Sequence, residues 1–319
     1  MVQCFKIKST VYFLIAVVFC HQAWAIDNPS TNKNSTATVK PTAERKVAST
    51  TVPSENILFD GYYKVLSGFG TSMKHIGFVV SRYEFDPSKK QFKSYYFLKL
   101  STPAITESLK AVADENLNPI SYEYTSVNGK DTKTIDANFS NNQMKAVITT
   151  NGKKQTVSKT LKKGTFLSTF LVYLILKSPQ GLTVSANYNY PDSIAEEDAG
   201  IYKGSAQVIK EEVYQKYKVF RVKNIFKNSE FISFVNAQGE VLSTQSSGQG
   251  ITSELVATSQ EAFGNIPFSP KLLTSVFGFI PEGKKNIIAQ TQLPAPPSGK
   301  FEGVPPGQGI IIKPGSKNE

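Results

Sequence analysis

Cysteine is almost absent from this chain, and the positions of the two that exist are informative. Cys4 and Cys20 both lie near the N-terminus of the 319 residues. If residues 1–25 are removed on export, no cysteine remains, which excludes disulfides, thiolate catalysis and cysteine-ligated metal. Secreted eukaryotic domains of this size more often carry disulfides, so the pattern favours a bacterial periplasm. Cys20 is not expected to anchor an outer-membrane lipoprotein, because the bulky Val18 and Phe19 precede it.

The chain also lacks any apolar run of the roughly 20 residues that a membrane-spanning helix needs. Its first apolar stretch, Val11–Cys20, is instead typical of a secretory signal. Lys6 and Lys8 precede the stretch, and a small-x-small cleavage site follows at 23–25. We therefore predict that residues 1–25 are a signal peptide and that the mature protein is periplasmic, without a transmembrane segment.

Histidine is equally scarce, because His75 is the only one beyond the predicted signal. A multi-histidine metal site is excluded, and a Ser-His-Asp triad would have to use His75. No G-x-S-x-G elbow, P-loop or strand–GxGxxG–helix unit supports such chemistry. We predict that His75 is a surface residue, that no cofactor or metal is bound, and that the protein is not an enzyme. An envelope hydrolase that uses two carboxylates about 5–10 Å apart stays open as an alternative.

The two ends of the mature chain are poor in apolar residues. Residues 26–55 are rich in Ser, Thr, Lys and Pro and are predicted to be a disordered leader. Residues 291–319 are rich in Pro and Gly and are predicted to be an extended tail. Its Ile310–Ile312 cluster is interpreted as a short apolar tail segment that adheres non-specifically, or as a strand that adds to a sheet edge. Residues 56–290 are then predicted to be a single antiparallel β domain.

The net charge is +11, and removal of Lys6 and Lys8 lowers it to +9. The excess is spread over lysine doublets such as Lys89-Lys90 and Lys162-Lys163, beside turn signals. We interpret these as solvated loop charges, with weak attraction to an anionic envelope surface as the alternative. Nucleic acid is not an expected partner of a periplasmic protein.

Alternation of apolar and polar residues is the main structural signal, and it predicts β-strands. The segments with this pattern are 76–85, 92–100, 120–125, 135–139, 182–190, 204–212, 216–225, 230–237 and 240–247. Asn128-Gly129 and Asn151-Gly152 are typical of two-residue hairpin turns. Such short connections exclude the long crossovers of parallel strands. We therefore predict a mainly β fold: a strongly curved, half-closed antiparallel sheet of about ten strands.

One segment, Thr165–Lys177, breaks the alternation because it is almost wholly apolar. It is predicted to be a helix that is buried on nearly every side, with a buried strand pair as the alternative. A short second helix is predicted over 269–277, capped by Ser269, with Pro270 in its first turn and Gly278 at its end.

The carboxylates that follow the run at 182–190 do not match a calcium loop. Asp192, Glu196, Glu197 and Asp198 are predicted to form a solvated loop.

Tyrosine is frequent on the predicted strands. The residues concerned are Tyr62, Tyr63, Tyr95, Tyr96, Tyr122, Tyr124, Tyr188 and Tyr190. They are interpreted as cross-strand pairs, or as the lining of a concavity that holds an acyl chain or another apolar ligand.

Four features follow one another along the chain. They are an opening strand at Ile76-Gly77-Phe78, a series of hairpins, the apolar segment 166–176, and return strands that end at 236–248. Over about 60–290 this layout resembles periplasmic β-clam proteins, which include the LolA/LolB lipoprotein carriers and related uncharacterised proteobacterial domains. The resemblance implies a curved sheet lined by apolar side chains and closed by helices. The predicted ligand-binding residues are Phe170, Leu174, Tyr188, Tyr190, Tyr96 and Leu98.

The sequence thus predicts a non-enzymatic periplasmic carrier or binding protein, with a hydrophobic small molecule or lipid in its curved sheet. The alternative is an envelope scaffold with a solid core, which recognises partners through its flexible ends and basic surface.

Overall fold

The computed structural model describes residues 56–246 and 248–292, so the predictions for the signal, the leader, and the tail beyond 292 lie outside it. The described part is mainly β, with fifteen strands, four α-helices and two short 3₁₀ turns. The strands are β1 Ile57–Ser67, β2 Lys74–Asp86, β3 Gln91–Ser101, β4 Ala104–Asp114, β5 Pro119–Asn128, β6 Asp131–Ser140, β7 Gln143–Thr150, β8 Lys153–Thr160, β9 Phe166–Leu167, β10 Asn187–Ala195, β11 Gly200–Tyr214, β12 Tyr217–Phe226, β13 Ser229–Val235, β14 Val241–Ser246 and β15 Ile251–Val256. The helices are α1 Leu171–Lys177, α2 Ser259–Phe263, α3 Pro270–Phe277 and α4 Ile287–Gln292, and the 3₁₀ turns are Gly70–Ser72 and Ser168–Phe170.

All fifteen strands belong to one sheet, whose order is β8-β7-β6-β5-β4-β3-β2-β1-β15-β14-β13-β12-β11-β10-β9. The two edge strands, β8 and β9, are neighbours along the chain. Fifteen strands spaced about 4.8 Å apart would span roughly 67 Å if the sheet were flat. The connection from Thr160 to Phe166 reaches at most about 23 Å, so the sheet must curl until its edges approach each other.

Side chains bridge the two edges where main-chain pairing does not. The ammonium of Lys159, on β8, donates to the carbonyl of Ala199 in the turn after β10, at 2.8 Å. On the inner face, Ser94 of β3 and Thr169 of the 3₁₀ turn are joined by a 2.9 Å hydrogen bond between their hydroxyls. The prediction of a strongly curved, half-closed sheet is therefore confirmed.

The strand number was predicted too low, and one pair of strands is not antiparallel. β8 alternates poorly because its residues are almost all polar and exposed, and β4 contains the helix formers Glu107, Lys110 and Ala111. β9 pairs with β10 in parallel, so the prediction of wholly antiparallel pairing was wrong. The apolar segment between them provides the crossover that a parallel pair needs.

The two predicted hairpin turns have different outcomes. Asn151 and Gly152 form a two-residue loop with φ values of 50° and 80°, as a type I′ turn requires. Asn128 instead pairs with Asp131, so that the loop is Gly129-Lys130. Only Gly129 has a positive φ, at 61°, and the turn is therefore shifted by one residue from the prediction.

The apolar segment at 165–177 lies between the two halves of the curled sheet. Its first residues form β9 and the 3₁₀ turn, and the predicted helix forms over Leu171–Lys177. Phe170 packs in a core cluster formed mainly by β1–β7. Leu171 and Ile175 pack in a second cluster, formed mainly by β10–β14, and Leu174 contacts both. The segment thus fills the space between the halves.

A second layer covers the opposite face of β1–β3. Because side chains alternate across a strand, Tyr62, Phe78 and Phe97 face away from the inner cluster that contains their neighbours. These rings pack against α2 and α3, with Phe78 4.7 Å from Phe263 between ring centroids. α3 begins with Pro270 and ends at Gly278, which adopts a left-handed φ of 81°. The second helix is confirmed, although the Ser269 side chain makes no capping hydrogen bond.

The segment after α3 is fixed to the sheet by a buried ion pair. Arg82 is fully buried, with its Nε 3.5 Å from Asp60 Oδ1 and its guanidinium carbon 4.0 Å from the centroid of the Phe279 ring. Asp60 Oδ2 also accepts a hydrogen bond from the backbone N–H of Gly283, at 2.8 Å. Burial raises the pKa of the Asp60 carboxyl, although the neighbouring charge of Arg82 acts to lower it.

Candidate functional site

An open cleft lies where the two halves of the core meet, beside the end of α1. Its volume is about 590 Å³. Three parts of the chain form its walls: the turn between β4 and β5, the C-terminal end of α1 with the loop after it, and the start of β10. The lining residues are Asn116, Leu117, Leu174, Lys177, Ser178, Pro179, Gln180, Asn187, Tyr188, Asn189 and Tyr190.

The first wall is a turn organised by one carboxylate. Asp114 Oδ1 accepts hydrogen bonds from the backbone N–H groups of Asn116 and Asn118, both at 2.8 Å, and Oδ2 accepts one from the Asn118 amide. This arrangement holds Leu117 at a φ of 66°, a left-handed conformation that non-glycine residues rarely adopt. Leu117 is only 2% exposed and packs in the first core cluster, so its burial helps to hold the turn in place.

The second wall is the start of β10, which presents two tyrosine rings. The Tyr188 hydroxyl donates to the Gly181 carbonyl, and the Tyr190 hydroxyl donates to Asn224 Oδ1 at 2.5 Å. Burial raises the pKa of Tyr190, so that this hydroxyl stays protonated. Because both hydroxyl groups are engaged within the protein, the two side chains offer the cleft mainly their aromatic surface.

The third wall is the end of α1, which brings Leu174 and Lys177 to the cleft. These two positions lie three residues apart and therefore on the same side of the helix. The ammonium of Lys177 lies 5.8 Å from the centroid of the Phe92 ring. The helix ends at Ser178, whose backbone N–H donates to the Ile175 carbonyl at 3.1 Å.

The structure brings three of the six predicted ligand-binding residues together. Leu174, Tyr188 and Tyr190 line the cleft. The other three, Phe170, Tyr96 and Leu98, lie in the packed core cluster of the first half, away from the cleft walls. Ligand contact by any of the six stays a prediction. The sequence analysis missed Leu117 and its Asp114 turn, although the Asp-Glu-Asn-Leu-Asn order is a turn signal.

The run predicted to be a strand at 182–190 is only partly one. β10 begins at Asn187. Residues 182–186 are irregular and include a turn in which Ser185 has a φ of 69°. The strand then continues to Ala195, well into the segment that the sequence analysis assigned to a loop.

The acidic residues after this run are buried, so the prediction of a solvated loop was wrong. Glu196 and Glu197 are 0% and 1% exposed. Glu196 accepts hydrogen bonds from the Ser168 hydroxyl and, at 3.1 Å, from the Thr169 backbone N–H. The ammonium of Lys227 lies 2.7 Å from Glu197 Oε1 and 2.6 Å from Asp198 Oδ2. This buried cluster, which we call the acidic turn, joins β12 to the end of β10.

Burial shifts the protonation of several groups near the acidic turn. It raises the pKa of Glu196 to about 8, against the lowering effect of the Ser168 and Thr169 hydrogen bonds. It also raises the pKa of Glu107, on the facing strand β4, to about 7. Burial opposes the charge of Lys227, but Glu197 and Asp198 outweigh it and raise the pKa of that ammonium. Burial thus favours the protonated form of both Glu196 and Glu107.

Other chemistry-bearing groups do not form a second centre in the described residues. His75 is exposed at the start of β2, with Nε2 2.8 Å from the Gly77 carbonyl oxygen. Within 56–246 and 248–292, no cluster of three or more His, Asp or Glu side chains is arranged to hold a metal ion.

No helix in these same residues is long and apolar enough to cross a membrane.

Comparisons with known proteins identify no family for this chain. No family model matches the sequence, and no curated protein is detectably similar to it. Among solved structures, the chain is similar to a β-barrel-like protein of a domain of unknown function, DUF1849, from Brucella abortus. The match has a TM-score of 0.45 and 12% sequence identity, and it covers 62% of this chain and 96% of that one. The resemblance to the LolA/LolB carriers therefore stays a hypothesis.

Proposed function

We propose that this protein is a non-enzymatic periplasmic carrier or binding protein that holds a hydrophobic, lipid-like ligand. The observation that carries the proposal is the open cleft of about 590 Å³ at the junction of the two core clusters. This volume falls within the roughly 300–1,000 Å³ typical of small-molecule sites, which are mostly apolar with a few placed polar groups.

The burial of the cleft residues fits a ligand with an apolar body. Leu117 and Tyr190 are buried at its floor, and Leu174 and Tyr188 are half-buried. The exposed residues around them are polar or charged, apart from Pro179. An acyl chain would therefore displace water from the floor, at a gain of about 25 cal/mol for each Å² of apolar surface buried.

The ligand position differs from the simplest form of the sequence hypothesis. That hypothesis placed the ligand against the concave face of the sheet, where α1 and the 3₁₀ turn now lie. We place it instead at the end of α1, where helix, turn and strand leave an open space. The periplasmic location rests on the predicted signal peptide at residues 1–25.

A cleft-filling substitution tests the proposal. Asn189 is exposed and lines the cleft, so Asn189→Trp should fill it with an indole ring without disturbing the core. We expect the affinity for cis-parinaric acid, measured by its fluorescence, to fall at least about tenfold, or about 1.4 kcal/mol. The matched control is Asn128→Trp, at an exposed position at the end of β5 outside the cleft, which should bind as the wild type does.

Two results would contradict the proposal. One is equal binding by both tryptophan variants and the wild type, which would place the ligand elsewhere. The other is the absence of any apolar ligand in native mass spectra of protein purified from its own cell envelope, together with no binding of cis-parinaric acid.

An envelope scaffold is the second candidate function, and one observation favours it. The segment from β9 to α1 packs against both core clusters, so the middle of the molecule is occupied by the protein itself. A scaffold of this kind would use its surface and its two ends, and it would have no requirement for the cleft.

A further inference from the structure

We infer that the ligand of this cleft is an amphiphile with an anionic headgroup, whose charge is met by the ammonium of Lys177. The inference rests on the proposed function, and it names the class of ligand that the same cleft would select. It is carried by the charge of the cleft and by the arrangement of its polar and apolar residues.

Lys177 is the only charged residue among those that line the cleft. Within 56–246 and 248–292 its ammonium has no carboxylate partner within ion-pair distance. It makes a cation–π contact with the Phe92 ring, whose centroid is 5.8 Å away. Many other lysines of the protein are paired, as Lys162 is with Asp192 at 3.1 Å. An exposed ammonium beside an apolar floor is therefore available to an anion from outside.

The carboxylates nearest in sequence to the cleft are already engaged. Both oxygens of Asp114 accept hydrogen bonds within its own turn. Glu115 lies 3.5 Å from the Lys90 ammonium. Neither group forms an ion pair with Lys177, so its ammonium is the charge that lines the cleft, and it attracts an anionic group and repels a cationic one.

The exposed amides complete a site for a headgroup. Asn116, Gln180, Asn187 and Asn189 surround the cleft at exposed positions. Amide N–H groups donate hydrogen bonds to phosphate or carboxylate oxygens, and a hydrogen bond with a charged partner is stronger than one between neutral groups. A polar rim with one cation above an apolar floor matches an acyl chain that ends in an anion.

A purely structural role for Lys177 makes a different prediction. Lys177 is in the last turn of α1, where a cation interacts favourably with the helix dipole. In that case Lys177→Gln would lower the unfolding temperature slightly and would weaken the binding of all ligands alike. Selectivity between headgroups separates the two roles.

The experiment compares lysophosphatidylglycerol and lysophosphatidylcholine, each with one lauroyl chain, by titration calorimetry at low salt. Inorganic phosphate alone is the third probe. We expect the wild type to bind the anionic lipid about tenfold more tightly than the zwitterionic one, as one charged hydrogen bond allows. Lys177→Gln should remove this preference, with a larger loss of affinity for the anionic lipid than for lysophosphatidylcholine, and Lys177→Arg should retain the preference. Lys203→Gln, at an exposed position of β11, is the matched control.

Each other outcome is decisive. Equal binding of the two lipids by the wild type would overturn this inference and leave the proposed function standing. Binding of neither lipid would remove both. Binding of inorganic phosphate as tightly as the anionic lipid would identify a small-anion site instead, and equal loss of both lipids in Lys177→Gln would leave Lys177 a structural role only.

Discussion

At the scale of single residues, the acidic turn shows that the fold can bury charged side chains that the sequence alone suggests are solvated. Glu196, Glu197 and Asp198 form an acidic run, and such runs are usually solvated because buried charges need partners. The partner, Lys227, lies about thirty residues later and reaches the turn only because β11 and β12 form a hairpin. No local sequence signal announces this pairing, so burial of the turn was not predictable.

We predict that Glu196 makes the stability of the protein depend on pH. Its folded-state pKa of about 8 lies above the usual value of 4.5, so the fold favours the protonated form. The stabilisation is fully present below about pH 4.5 and is lost as pH rises through 8. The free energy of unfolding in urea should therefore fall between about pH 4.5 and pH 8.

In Glu196→Gln this fall should be smaller by up to about 5 kcal/mol, since one pKa unit corresponds to about 1.4 kcal/mol and the pKa rises from 4.5 to about 8. Glu107, with a raised pKa of about 7, contributes in the same direction and leaves a residual slope. Glu211→Gln, at an exposed position of β11, is the control and should keep the wild-type profile. An unchanged profile in Glu196→Gln would show that Glu196 is ionised in the folded protein at neutral pH.

At the scale of elements, the turns and caps were predicted best where the sequence is locally consistent. Asn151-Gly152 and the helix from Pro270 to Gly278 were recognised from residues that fix φ directly. The shift at Gly129 arose because Asn128 pairs in the ladder with Asp131. The prediction of a strand over 182–190 was only partly right, because alternation alone does not show where pairing begins. The pairing with β11 determines that the strand begins at Asn187.

The turn between β4 and β5 is the element on which the cleft depends most. Asp114→Ala would remove three hydrogen bonds and release Leu117 from its left-handed φ of 66°. We expect a loss of stability of about 1–3 kcal/mol and a several-fold weaker affinity for cis-parinaric acid.

The matched control for this change is Asp131→Ala. Asp131 is the first residue of β6, directly after the turn at the other end of β5, and accepts a hydrogen bond from the Asn151 amide at 2.9 Å. This variant should lose some stability and keep its affinity for cis-parinaric acid. Equal loss of affinity in the two variants would mean that binding follows global stability and not the shape of the turn.

At the scale of the whole molecule, the mainly β fold and the buried apolar segment were predictable from alternation and from one non-alternating run. The extent of the sheet was not, because polar edge strands such as β8 carry little signal. Three of the six candidate site residues meet at the cleft, since Leu174 and the two β10 tyrosines are joined by the parallel crossover. That parallel pair is the feature that hairpin signals alone do not predict.

The two candidate functions differ in what they require of the chain ends. We expect a chain reduced to residues 56–292 to keep its affinity for cis-parinaric acid, because every cleft residue lies within that range. Residues 291 and 292 are retained because the Thr291 hydroxyl is 2.5 Å from that of Tyr217. The measurement is fluorescence titration beside pull-down of envelope proteins. Loss of the envelope partners on truncation, with no binding of cis-parinaric acid by either the full or the shortened chain, would favour the scaffold.

The pairing of β1 with β15 has a kinetic consequence. In the ladder that joins them, Tyr62 lies opposite Val256, about 190 residues further along the chain. Among the described strands, every other antiparallel ladder joins consecutive strands and forms from local contacts. Closing so long a loop carries a large entropy loss before any contact compensates for it, and non-local pairings of this kind slow folding. We expect the strands β1–β8 and the strands β10–β15 to form two separate folding nuclei. The ladder between β1 and β15 should then form last.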